Sequence, residues 1–189
     1  MDERNLSVIR QSFANVVFTH KVHEIAAEKN EKKVFYINWI NIIFVAIIFI
    51  LLVLQVYTSS TIVSYVAAGI SLLEVIFLII QKSFNYEQRK VAHKNSALKY
   101  MDLRDRYLGL IADIMNENIT NAMLENKRDT FQLEYQNICD HALPTSRDEY
   151  EKAQLRLNKR GIIQGEDFTW SNEEIDRFLP KELRLAFQE

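Results

Sequence analysis

The sequence predicts an all-α membrane protein: an antiparallel two-helix transmembrane hairpin that continues into a long helix and a cytoplasmic helical bundle. Three observations carry this prediction. Two apolar runs, Val34–Tyr57 and Ile62–Ile80, each have the length needed to cross a hydrocarbon core ~30 Å thick, about 20 residues as helix. Only Thr58, Ser59, Ser60 and Thr61 separate them, too few to do anything but reverse the chain. Apart from four glycines and two prolines, nothing interrupts helical spacing, and no strand alternation persists.

The expected organisation is therefore an N-terminal cytoplasmic amphipathic helix (1–33), the hairpin (34–82, spans at about 34–57 and 62–81) and a cytoplasmic helical domain (83–189). Average composition hides this layout. With 189 residues, net charge −2 and pI ≈ 6.1, the chain has the mean properties of a soluble protein. A soluble core helix rarely stays apolar around its whole circumference for such a length. A cleaved signal peptide is disfavoured too, since the first run lacks a small-residue cleavage site and a second span follows at once. The near-neutral balance gives no basis for nucleic-acid binding. A single cysteine, Cys139, excludes an intramolecular disulfide framework and suits a reducing cytoplasm.

Residues Asn5–Lys33 form the first element. Leu6, Ile9, Phe13 and Val16 recur at helical spacing, with Ala26 and Ala27 extending a weaker apolar face. Arg10, Lys21, Glu24, Glu28 and Lys32 fall on the other side. Mixed charge favours packing against another helix over lying on a lipid surface. His20 and His23 stand one turn apart, a metal-compatible spacing, but no third ligand is nearby and the His-Glu-x-x-His pattern fails, so no metal is expected.

The hairpin comes next. Lys29, Lys32 and Lys33 precede the first span, and Lys82, Arg89, Lys90 and Lys94 follow the second, while the turn carries no charge. Excess Lys and Arg stay inside, so both termini are expected in the cytoplasm. Tyr36, Trp39, Tyr57 and Tyr65 sit at interfacial depth. Asn38, Asn41 and Gln55 are the polar residues of the first span, and Asn41 and Gln55, fourteen apart, return to nearly one face. In the second span Ser64, Ala67, Ser71 and Glu74 make a small and polar stripe expected to face protein or water. Glu74 stands out, because a carboxylate in lipid costs several kcal/mol and so turns to a cavity, a partner or a pore. Two readings stay open: a ring of Glu74 carboxylates lining an oligomeric cation pore, or a buried, protonated glutamate bonded to Asn41 or a serine.

From Ser71 to Leu108 there is neither glycine nor proline, so the second span is expected to run on as a long helix to about Met115. Tyr100, Leu103, Tyr107, Leu110 and Ile114 give it a coiled-coil-like seam. A break follows at Asn116–Asn121, then a fourth helix to about His141 with Leu124, Phe131, Tyr135, Ile138 and Ala142 inward. Pro144 ends the connection. Ser146 and Glu149 form a capping box opening a fifth helix, whose apolar face is Tyr150, Ala153 and Leu157. Beyond Gly161 and Gly165 a small C-terminal module starts at a second capping box, Ser171 with Glu174, and closes in a turn from Lys181 to Phe187.

No catalytic constellation emerges. Cys139 and His141 lie two apart on a helix, where side chains diverge, and no glycine-rich phosphate loop is present. Arg104, Arg106, Arg128 and Arg147 are candidates for an anionic ligand or a partner, against the plainer role of salt-bridging exposed helices.

Several segments stand out together: Thr19-His20-Lys21 through Ala27, the short hairpin, His93-Lys94, Leu103-Arg104-Asp105-Arg106-Tyr107-Leu108, Arg128-Asp129, and Pro144-Thr145-Ser146 with Tyr150 and Ala153. They resemble the SLATT group, bacterial two-transmembrane effectors associated with SMODS and SLOG domains. The tail Phe168-Thr169 with Glu173 through Arg184 looks especially similar, although Trp170-Ser171 departs from the pattern. The resemblance implies a membrane effector of anti-phage or conflict systems that forms pores or disrupts the inner membrane. It also implies a nucleotide second messenger, or its sensor or synthase, as partner. The expectation is thus a homo-oligomeric, lipid-embedded effector of the bacterial inner membrane, without enzymatic activity or cofactor. The competing expectation is a non-conducting anchor that recruits a cytoplasmic signalling partner.

Overall fold

The computed structural model describes residues 3–158 and 169–185, and every regular element among them is helical. The helices are α1 (Glu3–Thr58), α2 (Thr61–Phe84), α3 (Tyr86–Met115), α4 (Asn121–His141), α5 (Arg147–Leu157) and α6 (Asn172–Asp176), followed by one 3-10 turn, Lys181–Leu183. Gly161, Gly165, Phe168 and Phe187 lie outside the described residues.

The chain divides into two compact units, Met1–Ala27 with Ala92–Glu189, and Glu28–Val91. The first is held by a core drawn from both ends of the sequence. Leu6, Ile9, Phe13 and Val16 are each at most 2% exposed, and the α3 seam Tyr100, Leu103, Tyr107, Leu110 and Ile114 at most 4%. Leu124, Phe131 and Ile138 of α4 and Ala153 of α5 join them. Tyr135, Ala142 and Leu157 are half-buried, while Tyr150 sits at the surface with its ring edge-on to Phe18. Burial of this kind contributes roughly 1.5–3 kcal/mol per large side chain, which makes the 3.6-residue spacing of these positions decisive. Trp170, Ile175 and Leu179 complete the core from the C-terminal module.

Caps set the helix starts. The Ser146 backbone N–H donates to the Glu149 carboxylate at 2.5 Å, and the Ser171 N–H donates to Glu174 at 3.0 Å. Thr120 caps α4, its hydroxyl accepting from the Met123 N–H.

Arg10 departs from expectation. It lies on the charged side of α1, yet it is 1% exposed. Its guanidinium donates to Asp176 at 2.6 Å and to the Leu183 carbonyl at 3.3 Å. The C-terminal module therefore covers a face that local spacing assigns to solvent. Gln11 and Asn15 fasten the same module. The Trp170 N–H donates to Gln11 at 2.9 Å, the Gln11 amide donates to the Trp170 carbonyl at 2.6 Å, and the Trp170 indole N–H donates to Asn15 at 2.8 Å.

The second unit holds the two apolar segments of α1 and α2, helices long and apolar enough to cross a membrane. None of the most apolar window of α1 is buried, and only 6% of that of the second segment. A soluble core helix would be mostly covered. Ser59 turns the chain through a left-handed conformation (φ 47°), leaving Ser59 and Ser60 as the whole connection. Asn41 then meets Gln81 and Phe44 meets Phe77, so contacts advance on one helix as they retreat on the other.

The run from Thr61 to Met115 is interrupted at one residue. Asn85 takes φ 51°, a left-handed conformation that Asn tolerates better than other non-glycine residues, and its N–H donates to the Gln81 carbonyl at 3.3 Å. The expectation of an unbroken helix rested on glycine and proline alone, and a helix can also stop on asparagine.

Candidate functional site

The chemistry-bearing residues of the second unit gather on the line where α1 and α2 touch. On α1 the less exposed positions are Val34, Ile37, Asn41, Phe44, Ile48, Leu51 and Gln55, at alternating steps of three and four. That spacing keeps one stripe facing a partner in a left-handed helix pair. On α2 the matching stripe contains Ser64, Ala67, Ser71, Glu74, Phe77 and Gln81. Ala67 alone of α2 is fully buried, at 6% exposure, as a small residue at a close helix contact should be.

Polar groups on this line are unevenly satisfied. The Asn41 amide donates to Gln81 Oε1 at 2.9 Å. The Ser71 hydroxyl donates to the Ala67 carbonyl one turn back, at 2.9 Å. The Asn41 Oδ1 and Gln55 Oε1 atoms are buried without a hydrogen bond. Glu74 is half-buried and makes no hydrogen bond or ion pair with any described residue. Asn41 thus bonds two turns beyond Glu74. Asn38 stands apart from the line, exposed on the flank of α1.

The four arginines lie in the other unit, and each has an acidic neighbour. Arg104 bonds Asp105 at 2.8 Å, Arg128 bonds Asp129 at 3.1 Å, and Arg147 bonds Glu151 at 2.6 Å. Arg106 pairs with Asp102 and Glu134 and lies 5.1 Å from the Phe131 ring centre. These pairs leave less of the arginine charge for an anion.

Other groups surface only in three dimensions. His23 is 4% exposed, and its Nδ1 lies 3.1 Å from Nδ1 of His93, itself 5% exposed. Burial first, then the neighbouring His93 and His20, push the His23 imidazole down to about 4. Burial also lowers His20, against the pull of Glu24. Tyr100 stacks on His23 and places its hydroxyl 3.1 Å from the Cys139 sulfur, with burial raising the phenol. His141 turns instead to the Asn137 carbonyl, so Cys139 and His141 form no nucleophile–base pair. Among the described residues no cluster of three His, Cys, Asp or Glu could hold a metal.

Sequence reasoning missed Gln81, His93 and Asp176. Gln81 was findable, because it extends the Glu74–Phe77 spacing by four. His93 and Asp176 have partners seventy and more residues away, beyond any local signal.

Residues 6–174 match the family described as SMODS and SLOG-associating 2TM effector domain family 4. No curated protein and no solved structure matches the chain.

Proposed function

Since the chain belongs to the SMODS and SLOG-associating 2TM effector domain family, we propose that it is an oligomeric effector of the bacterial inner membrane whose hairpin lines a pore. Membership makes it a membrane protein of anti-phage or conflict systems, and an effector domain rather than a member of a known enzyme family. The finer reading rests on one observation. In a hairpin exposed and apolar on nearly every face, Ser64, Ser71 and Glu74 share a stripe with Asn41 and Gln55, and Glu74 has no partner among the described residues. A carboxylate in that position needs water, a cation or a second subunit. Two spans cannot enclose a pore, so conduction requires several copies.

The proposed topology has both flanks on one side of the membrane, and the core shared by residues before and after the hairpin supports it. Lys29, Lys32, Lys33 and Lys82 favour the cytoplasmic side. In this reading the first unit receives the activating signal, from a nucleotide second messenger or from its sensor or synthase.

The anchor reading has its own support, because Asn41 and Ser71 already spend hydrogen bonds inside the hairpin. Single-channel recording of purified protein in planar bilayers separates the two. Discrete currents whose cation selectivity falls at least severalfold in Glu74→Ala are expected. Silence from a protein shown to be oligomeric in the same bilayer, with every candidate ligand tried, would leave the anchor.

A further inference from the structure

Beside the Asn85 break, the second unit opens into a crevice of about 550 Å³. Its wall changes character from one end to the other. Val34, Ile37 and Leu78 are apolar, whereas Asn38, Lys82 and Tyr86 bring an amide, an ammonium and a phenol. None of these three polar groups has a hydrogen bond or ion pair among the described residues. A second ammonium, Lys33, lies 4.6 Å from the centre of the Tyr86 ring. The one carboxylate of the wall, Glu87, is held by Lys90 at 2.5 Å. The local balance is therefore positive.

Three features decide what fits. The Asn41 and Asn85 amides are spent on Gln81 and Gln88, but Asn38, Lys82 and Tyr86 are not, and free donors lining one crevice with positive charge select an anion with several acceptor oxygens, as a phosphate is. Val34, Ile37 and Leu78 make one wall apolar, and the same helices expose Phe35, Ile40 and Ile79, so an occupant has a hydrocarbon part as well. The crevice lies where the basic flanks meet the apolar runs, at headgroup depth, and basic pockets between spans on the cytoplasmic side take lipid headgroups. We propose that this crevice binds the phosphodiester headgroup of a membrane phospholipid, with Lys82, Lys33, Asn38 and Tyr86 on the phosphate and Val34, Ile37 and Leu78 along the acyl chain. The proposal rests on the membrane reading of the hairpin and is independent of whether the oligomer conducts.

Native mass spectrometry of the full chain released from detergent tests it. Phosphatidylglycerol is offered against diacylglycerol, which lacks the phosphate, and against soluble glycerol phosphate, which lacks the chains. Retention of phosphatidylglycerol alone is expected, weakened at least fivefold in Lys82→Gln with Asn38→Ala. Lys82→Arg, which keeps the charge, and Lys99→Gln, in the other unit, should retain it. Equal retention of diacylglycerol, or no loss in the double variant, would overturn the site. Glycerol phosphate binding as tightly as the lipid would overturn the lipid in favour of a soluble phosphodiester. Flotation with liposomes keeps the underlying reading separate: a chain that fails to float defeats the membrane assignment itself, whereas one that floats without selective retention defeats only the crevice.

Discussion

Two imidazole nitrogens 3.1 Å apart can form a hydrogen bond only if one ring donates and the other accepts. His23 and His93 therefore share one proton between their facing nitrogens, and any further proton would place a positive charge out of water. The folded chain keeps His23 neutral to about pH 4, while the unfolded chain takes up that proton below about 6.5. The unfolded state thus binds more protons between those values, so stability is full above about 6.5 and falls as pH drops toward 4. At ~1.4 kcal/mol per pH unit, about 2 kcal/mol should be lost by pH 5. Chemical unfolding of the full chain in detergent, followed through Trp170 fluorescence at pH 7.5 and 5, checks this. His23→Leu with His93→Leu should flatten the pH slope, and an unchanged slope would place its origin elsewhere. At this scale sequence reading did well where chemistry is local. Both capping boxes need only residues three apart, so Ser146–Glu149 and Ser171–Glu174 were visible. His23 showed a spacing to His20, but its working partner comes from another helix.

Among the elements, α1 runs 56 residues from Glu3 to Thr58, merging the amphipathic helix and the first span expected separately. Nothing in Asn5–Thr58 breaks a helix, and only the character of the side chains changes along it. Periodicity found the buried faces of α1, α3 and α4, because each needs one stripe covered. It gave no sign of the stop at Asn85, where a single permitted dihedral outweighs good helix formers on both sides. Glycines make the converse test. A methyl group added at Gly69 in α2 or at Gly109 in α3 would meet no atom within 4 Å. Both lie inside helices, where alanine is favoured by roughly 1 kcal/mol. Gly109→Ala should accordingly raise the unfolding free energy by about 0.5–1 kcal/mol. A loss of stability in the same fluorescence assay would mean that the exposed face of α3 meets another subunit there.

At the scale of the whole molecule, the first unit is closed by residues that are far apart in the chain. Arg10 reaches Asp176 across 166 residues, and the pair is out of water on both sides. Removing one member of such a pair strands the other charge, at a cost typically of about 3–5 kcal/mol. Asp176→Ala should therefore destabilise the first unit by about 3 kcal/mol. Arg147→Ala breaks an ion pair just as short, but with the arginine side chain 90% exposed, and should stay within about 0.5 kcal/mol. Equal effects would mean that the C-terminal module is not fixed to α1. Hydropathy made the two apolar runs legible, and the family match covers residues 6–174, stopping at the start of the tail. The join between head and tail was not legible, because a lone arginine on a helix has the same local pattern whether it meets water or an aspartate.

That join also fixes an order of events during synthesis. The apolar face of Leu6, Ile9, Phe13 and Val16 leaves the ribosome before the hairpin, whereas Trp170, Ile175 and Leu179, which share its core, follow only after it. In between, the whole greasy hairpin must be delivered to the bilayer. For that interval the nascent chain carries an apolar stripe that Trp170, Ile175 and Leu179 do not yet cover.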